Sequence, residues 1–141
     1  MEDMSERPRS AAILAVIVFV EAVALLGVAI WSVVTVIGTE ARELTAGLFW
    51  AACLAGVAFF LVQAGRGVLD GRSWSRAAVV VWQVLQIGVA FGTYNGAEGP
   101  VPLALAMFVP ALAALVLVFR KPVRDWLARE RLERLADEAD G

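Results

Sequence analysis

The chain alternates long apolar stretches with short polar breaks, and the stretches are too long for strands. The first runs from about position 11 to 37 and holds one charged residue, Glu21. Others run from about 44 to 64, 77 to 94 and 101 to 119, with Gly71, Gly96, Gly99 and Pro100 at the breaks. A helix rises ~1.5 Å per residue, so a bilayer core of ~30 Å takes about 20 residues. All four stretches qualify as spans, and the first is long enough to tilt or protrude. Pro110 falls inside the fourth, where a membrane bundle tolerates a kink because a neighbouring helix can satisfy the freed carbonyl. A soluble β-protein would show turn signals every ~8–12 residues, and these stretches lack them.

The pattern therefore predicts an all-α fold, a four-transmembrane-helix bundle with a cytoplasmic C-terminal helix. Positions 1–10 form a cytoplasmic arm, 11–119 the membrane domain and 120–141 an amphipathic, charged tail. Arg7 and Arg9 precede the first stretch as in a secretory signal, but its 27 residues exceed the ~7–15 of a signal core. Three further spans follow it, so the expectation is a retained helix.

Composition agrees and removes several chemistries. Of 141 residues, 60% are hydrophobic and 18% charged, with a mean hydropathy of +0.75; soluble domains hold about 45–50% and about 25%. Histidine is absent and Cys53 is the one cysteine, which leaves no histidine ligand, disulfide or CxxC pair. A pI near 5.1 gives no footprint for nucleic acid, and the sequence holds no phosphate loop. No catalytic residue, metal site or cofactor is expected, and the chain reads as a non-enzyme.

The net charge of -2 hides a strong sorting. Arg7, Arg9, Arg66, Arg72, Arg76, Arg120, Lys121, Arg124, Arg129, Arg131 and Arg134 fall on one side, and only Arg42, beside Glu40 and Glu43, on the other, where the third loop adds Glu98. The positive-inside rule then puts both termini in the cytoplasm, at a bacterial plasma membrane. Arg66, Arg72, Trp74, Arg76, Arg120, Lys121 and Arg124 are expected to meet anionic headgroups. Trp31, Trp74, Tyr94 and Trp126 suit the interfaces, whereas Trp50 and Trp82 lie deeper and are expected to pack between helices, with a ligand contact as the alternative.

Glu21 is the most informative residue. Ten residues from Ala11 place it about 15 Å deep, where an ionisable group costs roughly 2.5–3.5 kcal/mol and must face protein or water. Gln83 and Gln86 share a face of the third span, and Gln86, about 13–14 Å in, matches that depth. The expectation is a Glu21–Gln86 hydrogen bond with Gln83 a turn nearer the cytoplasm. It serves either as an interhelical clasp worth ~0.6–2 kcal/mol or as a proton or cation site. Gly88 and Gly92, and the row Gly47, Ala51 and Ala55, have the spacing of close helix packing. Ala52 and Gly56 form a second row on the same span, so that one row is expected inside the bundle and the other towards a partner, and Cys53 reads as a small filler.

In the tail, a helix is expected over about 122–135, with Asp125–Arg129 and Glu130–Arg134 as i,i+4 pairs. Val123, Trp126 and Leu127 form one apolar cluster, opposite Ala128, Leu132, Leu135 and Ala139. One face is open to the bilayer and the other to a partner, or the helix is solvated. Ser73 or Ser75 is expected to cap the third helix.

The arginine-bearing arm, Glu21, and Gly71-Arg72-Ser73-Trp74-Ser75-Arg76 leading into Val80-Val81-Trp82-Gln83-Val84-Leu85-Gln86 resemble small four-span integral membrane proteins of unassigned function common in actinobacteria. That resemblance implies location and no catalytic residue. Glu21 in the first span is similar to the membrane glutamate of small multidrug resistance transporters. Those proteins are shorter, and both the aromatic pattern after Glu21 and the charged tail depart from theirs. Two functions follow as expectations. One is an accessory or scaffold subunit acting through helix and tail contacts, whose partners are the bilayer and a larger complex or further copies of itself. The other is a small oligomeric proton-coupled transporter or channel using Glu21.

Overall fold

The computed structural model describes residues 6–96 and 101–141, and these are almost wholly helical: α1 (Arg9–Val36), α2 (Ala41–Asp70), α3 (Ser73–Asn95), α4 (Val101–Phe119) and α5 (Lys121–Asp140). Glu98, Gly99 and Pro100, expected in the third loop, lie outside the described residues, as do the first five positions of the arm. Helices α1 to α4 are long and apolar enough to cross a membrane, and the protein reads as a multi-pass membrane bundle. α1 packs along α2, α2 along α3, α3 along α4 and α4 back on α1, so α1 and α3 face one another across a diagonal. The end of the bundle that carries α5 and most of the arginines is called the basic end below, and the other the far end.

Side-chain size is distributed as a membrane demands. The interior is lined by small residues, including Ala11, Ala15, Ala22, Ala64, Ala111 and Ala114, while Val23 and Phe49 stand 70% exposed on the outside. In water such a surface would aggregate; against lipid it has no such drive, and close backbone approach holds the helices together. The shared core lies in the basic half, where Leu14, Val18, Leu61, Val68, Val79 and Val118 meet. In the far half only Ala29, Ala51, Ala90 and Ala104 are buried among the described residues.

α2 and α3 are longer than their apolar stretches. The expected loop from Arg66 to Arg76 shrinks to Gly71 and Arg72, because the helices continue through polar residues to a tight stop. Gly71, with φ 72°, adopts the left-handed conformation that glycine takes without a Cβ penalty. Its N–H donates to the Val68 carbonyl at 3.3 Å and that of Arg72 to Gly67 at 2.8 Å, a Schellman stop. Two distant side chains reach the same helix end: Arg7 Nε donates to the Leu69 carbonyl at 2.9 Å and Trp126 Nε1 to that of Val68 at 2.8 Å. Neither Ser73 nor Ser75 caps α3. Its N-cap is Arg72, and Ser75 is turned inward, donating from Oγ to the Arg72 carbonyl at 2.6 Å and packing on Gly67.

α5 runs past its expected end at Leu135 to Asp140. Val123, Trp126 and Leu127 face neither bilayer nor solvent; they join the bundle core, while Leu132 and Leu135 stay exposed. Glu130 pairs with Arg134 at 3.1 Å as expected. Arg129, expected to pair with Asp125, instead lies 4.5 Å over the Trp126 ring and reaches Glu133 at 3.5 Å. Anchoring Trp126 in the core fixes the surface that Arg129 covers.

A Cβ added at Gly67 falls 2.8 Å from Ser75 Cβ, which sits beside the α3 backbone and has no room to yield, whereas at Gly56 it meets open space. Gly67→Ala is expected to lower unfolding stability in detergent by about 1–3 kcal/mol, and Gly56→Ala to cause no loss; thermal melts followed by circular dichroism check both.

Candidate functional site: a polar cluster at mid-membrane

α1 is apolar apart from its ends and a few small polar groups, so the orientation of its one mid-helix carboxyl follows from helix periodicity. Leu14, Val18, Glu21 and Ala22 recur at three and four residues and share the buried face. α3 turns Val79, Gln83, Gln86 and Ala90 inward at the same spacing. Across the diagonal, Gln83 Nε2 donates to Glu21 Oε2 at 2.9 Å and Trp82 Nε1 donates to the same oxygen at 3.2 Å. One carboxyl oxygen thus accepts two N–H groups from consecutive residues of a facing helix.

The expected Glu21–Gln86 bond is replaced by this arrangement. Hydropathy begins the third span at Ala77, but α3 begins at Ser73, one turn earlier. Counted from the observed helix starts, Glu21 lies about 18 Å along α1, and Gln83 about 15 Å and Gln86 about 19–20 Å along α3, so the two glutamines bracket Glu21 in depth and the packing of the helices, not depth, gives it Gln83. Gln86 stays next to the cluster and donates Nε2 to the Met107 carbonyl at 2.8 Å. α4 runs through Pro110 as a single helix, and proline supplies no N–H to the carbonyl of Ala106 while its ring crowds the turn that includes Met107. The glutamine amide thus adds a donor at the proline turn, on the carbonyl next to the freed one of Ala106 rather than on the freed carbonyl itself.

Three oxygens remain without a hydrogen-bond donor: Glu21 Oε1, Gln83 Oε1 and Gln86 Oε1. Their residues are at most 7% exposed. The Gln86 amide is fixed in this sense because its nitrogen faces a backbone carbonyl, which only accepts, and the Gln83 amide is fixed as long as Glu21 Oε2 carries no proton. Trp82 was not foreseen as a member. Its signal was available: an indole at that depth carries an N–H that needs a partner, and it adjoins Gln83.

The other candidate residues separate into two groups. Gly47 and Ala51 lie inside the bundle, with a Cβ at Gly47 falling 2.5 Å from Val36, and Ala55 is half-buried. Gly88 and Gly92 pack on nothing among the described residues; a Cβ at either meets open space. They follow the buried Gln86 and Ala90 by two positions, about 200° round the helix, so turning the glutamines inward turns the glycines out. Trp50, expected between helices, is 57% exposed on the outer face. Arg66, Arg72, Trp74, Arg120, Lys121 and Arg124 are exposed at the basic end, where Arg76 lies 5.7 Å over the Phe119 ring.

No known protein family, curated protein or solved structure matches this chain. What the fold and the cluster define is a class: a multi-pass, all-helical membrane bundle with one buried carboxyl at its centre.

A double-mutant cycle tests the cluster. Gln83→Leu removes one of the two donors to Glu21 and is expected to cost about 1–3 kcal/mol, whereas Glu21→Leu with Gln83→Leu costs less than the two single changes summed. The coupling energy, expected near 0.6–1.7 kcal/mol, is read from unfolding in mixed micelles.

Proposed function

We propose that this is a non-enzymatic integral membrane protein of the bacterial plasma membrane, an accessory or scaffold subunit that binds another membrane chain through its outer helix surface. One observation carries this reading: α3 turns Gly88 and Gly92 outward, exposing bare helix backbone in the half of the bundle where few residues are buried. Ala52 and Gly56 on α2 are likewise exposed. Glycine pairs at this spacing let a second helix approach closely enough for dispersion contacts to hold it in lipid. Both termini and α5 are cytoplasmic in this reading, with the arginines of the basic end against anionic headgroups.

The second reading, a small oligomeric proton-coupled carrier or channel, is favoured by the depth of Glu21 and by three buried oxygens without donors, its own Oε1 and those of Gln83 and Gln86. Affinity purification from native membranes separates the two. A stoichiometric partner that disappears in Gly88→Ile and Gly92→Ile, with thermal stability unchanged, is expected for the subunit. A self-oligomer whose proton-driven flux disappears in Glu21→Gln is expected for the carrier. For the orientation, a C-terminal alkaline phosphatase fusion is expected to be inactive and a C-terminal fluorescent fusion bright.

A further inference from the structure

We propose that Glu21 Oε1, Gln83 Oε1 and Gln86 Oε1 form an acceptor-only site that holds one monovalent cation, a proton or a sodium ion, at the centre of the bundle. This deepens the carrier reading by naming the ion, and it equally allows an ion held in place in a protein that transports nothing.

The inference rests on donors and acceptors. The indole and one N–H of each amide already donate, the three buried oxygens can only accept, and the second N–H of each amide brings no charge. A water molecule donates at most two hydrogen bonds and brings no charge. A carboxylate in a low-dielectric interior needs a counter-charge. None is within the cluster. Arg9, Arg66, Asp70 and Arg76 lie towards the basic end of α1, α2 and α3, and Arg42, Glu43 and Tyr94 at the far end; Cys53, midway along α2, faces outward, and α4 has no titratable group. The missing charge must therefore be a bound ion. An all-oxygen set selects a hard cation, and a single carboxylate with two neutral amides suits one positive charge better than the six to eight ligands and higher charge that calcium asks for. As a proton, the ion is the hydrogen of an O–H on Oε1 that donates to a glutamine oxygen. As sodium, it is shared among the three oxygens. The route in lies through the far half, where burial is limited to four alanines among the described residues.

The test is infrared difference spectroscopy on the full chain in lipid vesicles, recorded over a pH series and on exchanging choline for sodium. The Glu21 band is assigned by its loss in Glu21→Gln or, should that variant not fold, by its shift in Glu21→Asp. For a proton, a protonated-carboxyl band gives way to carboxylate bands as pH rises, without response to sodium. For sodium, the carboxylate bands shift on adding sodium at constant pH. In either case Gln86→Leu moves the half-conversion point by about tenfold in ion concentration, the equivalent of one hydrogen bond to a charged group. A Glu21 band that responds to neither ion, or a half-conversion point unmoved by Gln86→Leu, overturns the proposal. A site that binds while vesicles show no flux keeps the ion and removes the carrier.

Discussion

A carboxyl group at the centre of a membrane bundle cannot be left to solvent, and the middle of the bundle can be understood from how Glu21 is accommodated. Its Oε2 takes two N–H groups from α3, the helix diagonally across from α1. Diagonal helices in a four-helix bundle are the pair least able to meet through backbone contact, so side chains long enough to cross the middle are needed there. Glutamine and tryptophan supply that reach. The same face of α3 carries Gln86 to the proline turn of α4, so one stripe of polar side chains ties α1, α3 and α4 together at one level. That stripe closes the alanine-lined basic half, and beyond it packing is sparse.

A second constraint acts at the end of α2. The last carbonyls of a helix point out of the bundle and need donors. Here the Schellman stop at Gly71 is joined by the Arg7 guanidinium and the Trp126 indole, one from each end of the chain. The positive guanidinium also suits the negative end of the helix dipole. As a result the arm, the α2–α3 turn and α5 gather in one place, and the first turns of α5 belong to the core rather than to solvent. The basic residues gathered at this end have structural uses: Arg7 caps, Arg76 covers Phe119 and Arg129 covers Trp126.

Much of this was legible beforehand. The number of helices followed from run length, because a bilayer sets a minimum span, and the mid-depth position of Glu21 followed from counting along a helix of fixed rise. The three residues Glu21, Gln83 and Gln86 were recognisable because polar groups in an apolar run stand out. Their bonding was not. Gln83 and Gln86 lie within one turn on one face of α3 and bracket Glu21 in depth, so counting along the helices could not choose its partner, and the packing of α3 against α1 and α4 decided it. The polar turn at Ser73 to Arg76 is helical without being greasy, and no count of apolar residues includes it.

The amino-acid order by itself determined the quantities that depend on one element at a time: four spans, their depth markers, the sorting of charge to one end and the amphipathic start of the tail. Each follows from a local period or a local length. Tertiary structure decided which side of each helix faces in. Once Gln83 and Gln86 were turned to the centre, Gly88 and Gly92 had to face out, Trp82 came within reach of Glu21, and three oxygens, one of them Glu21's own, were left without donors. Small residues and amides suit an interior and an outer contact face equally well, and only the rotation of one helix against its neighbours chooses between them.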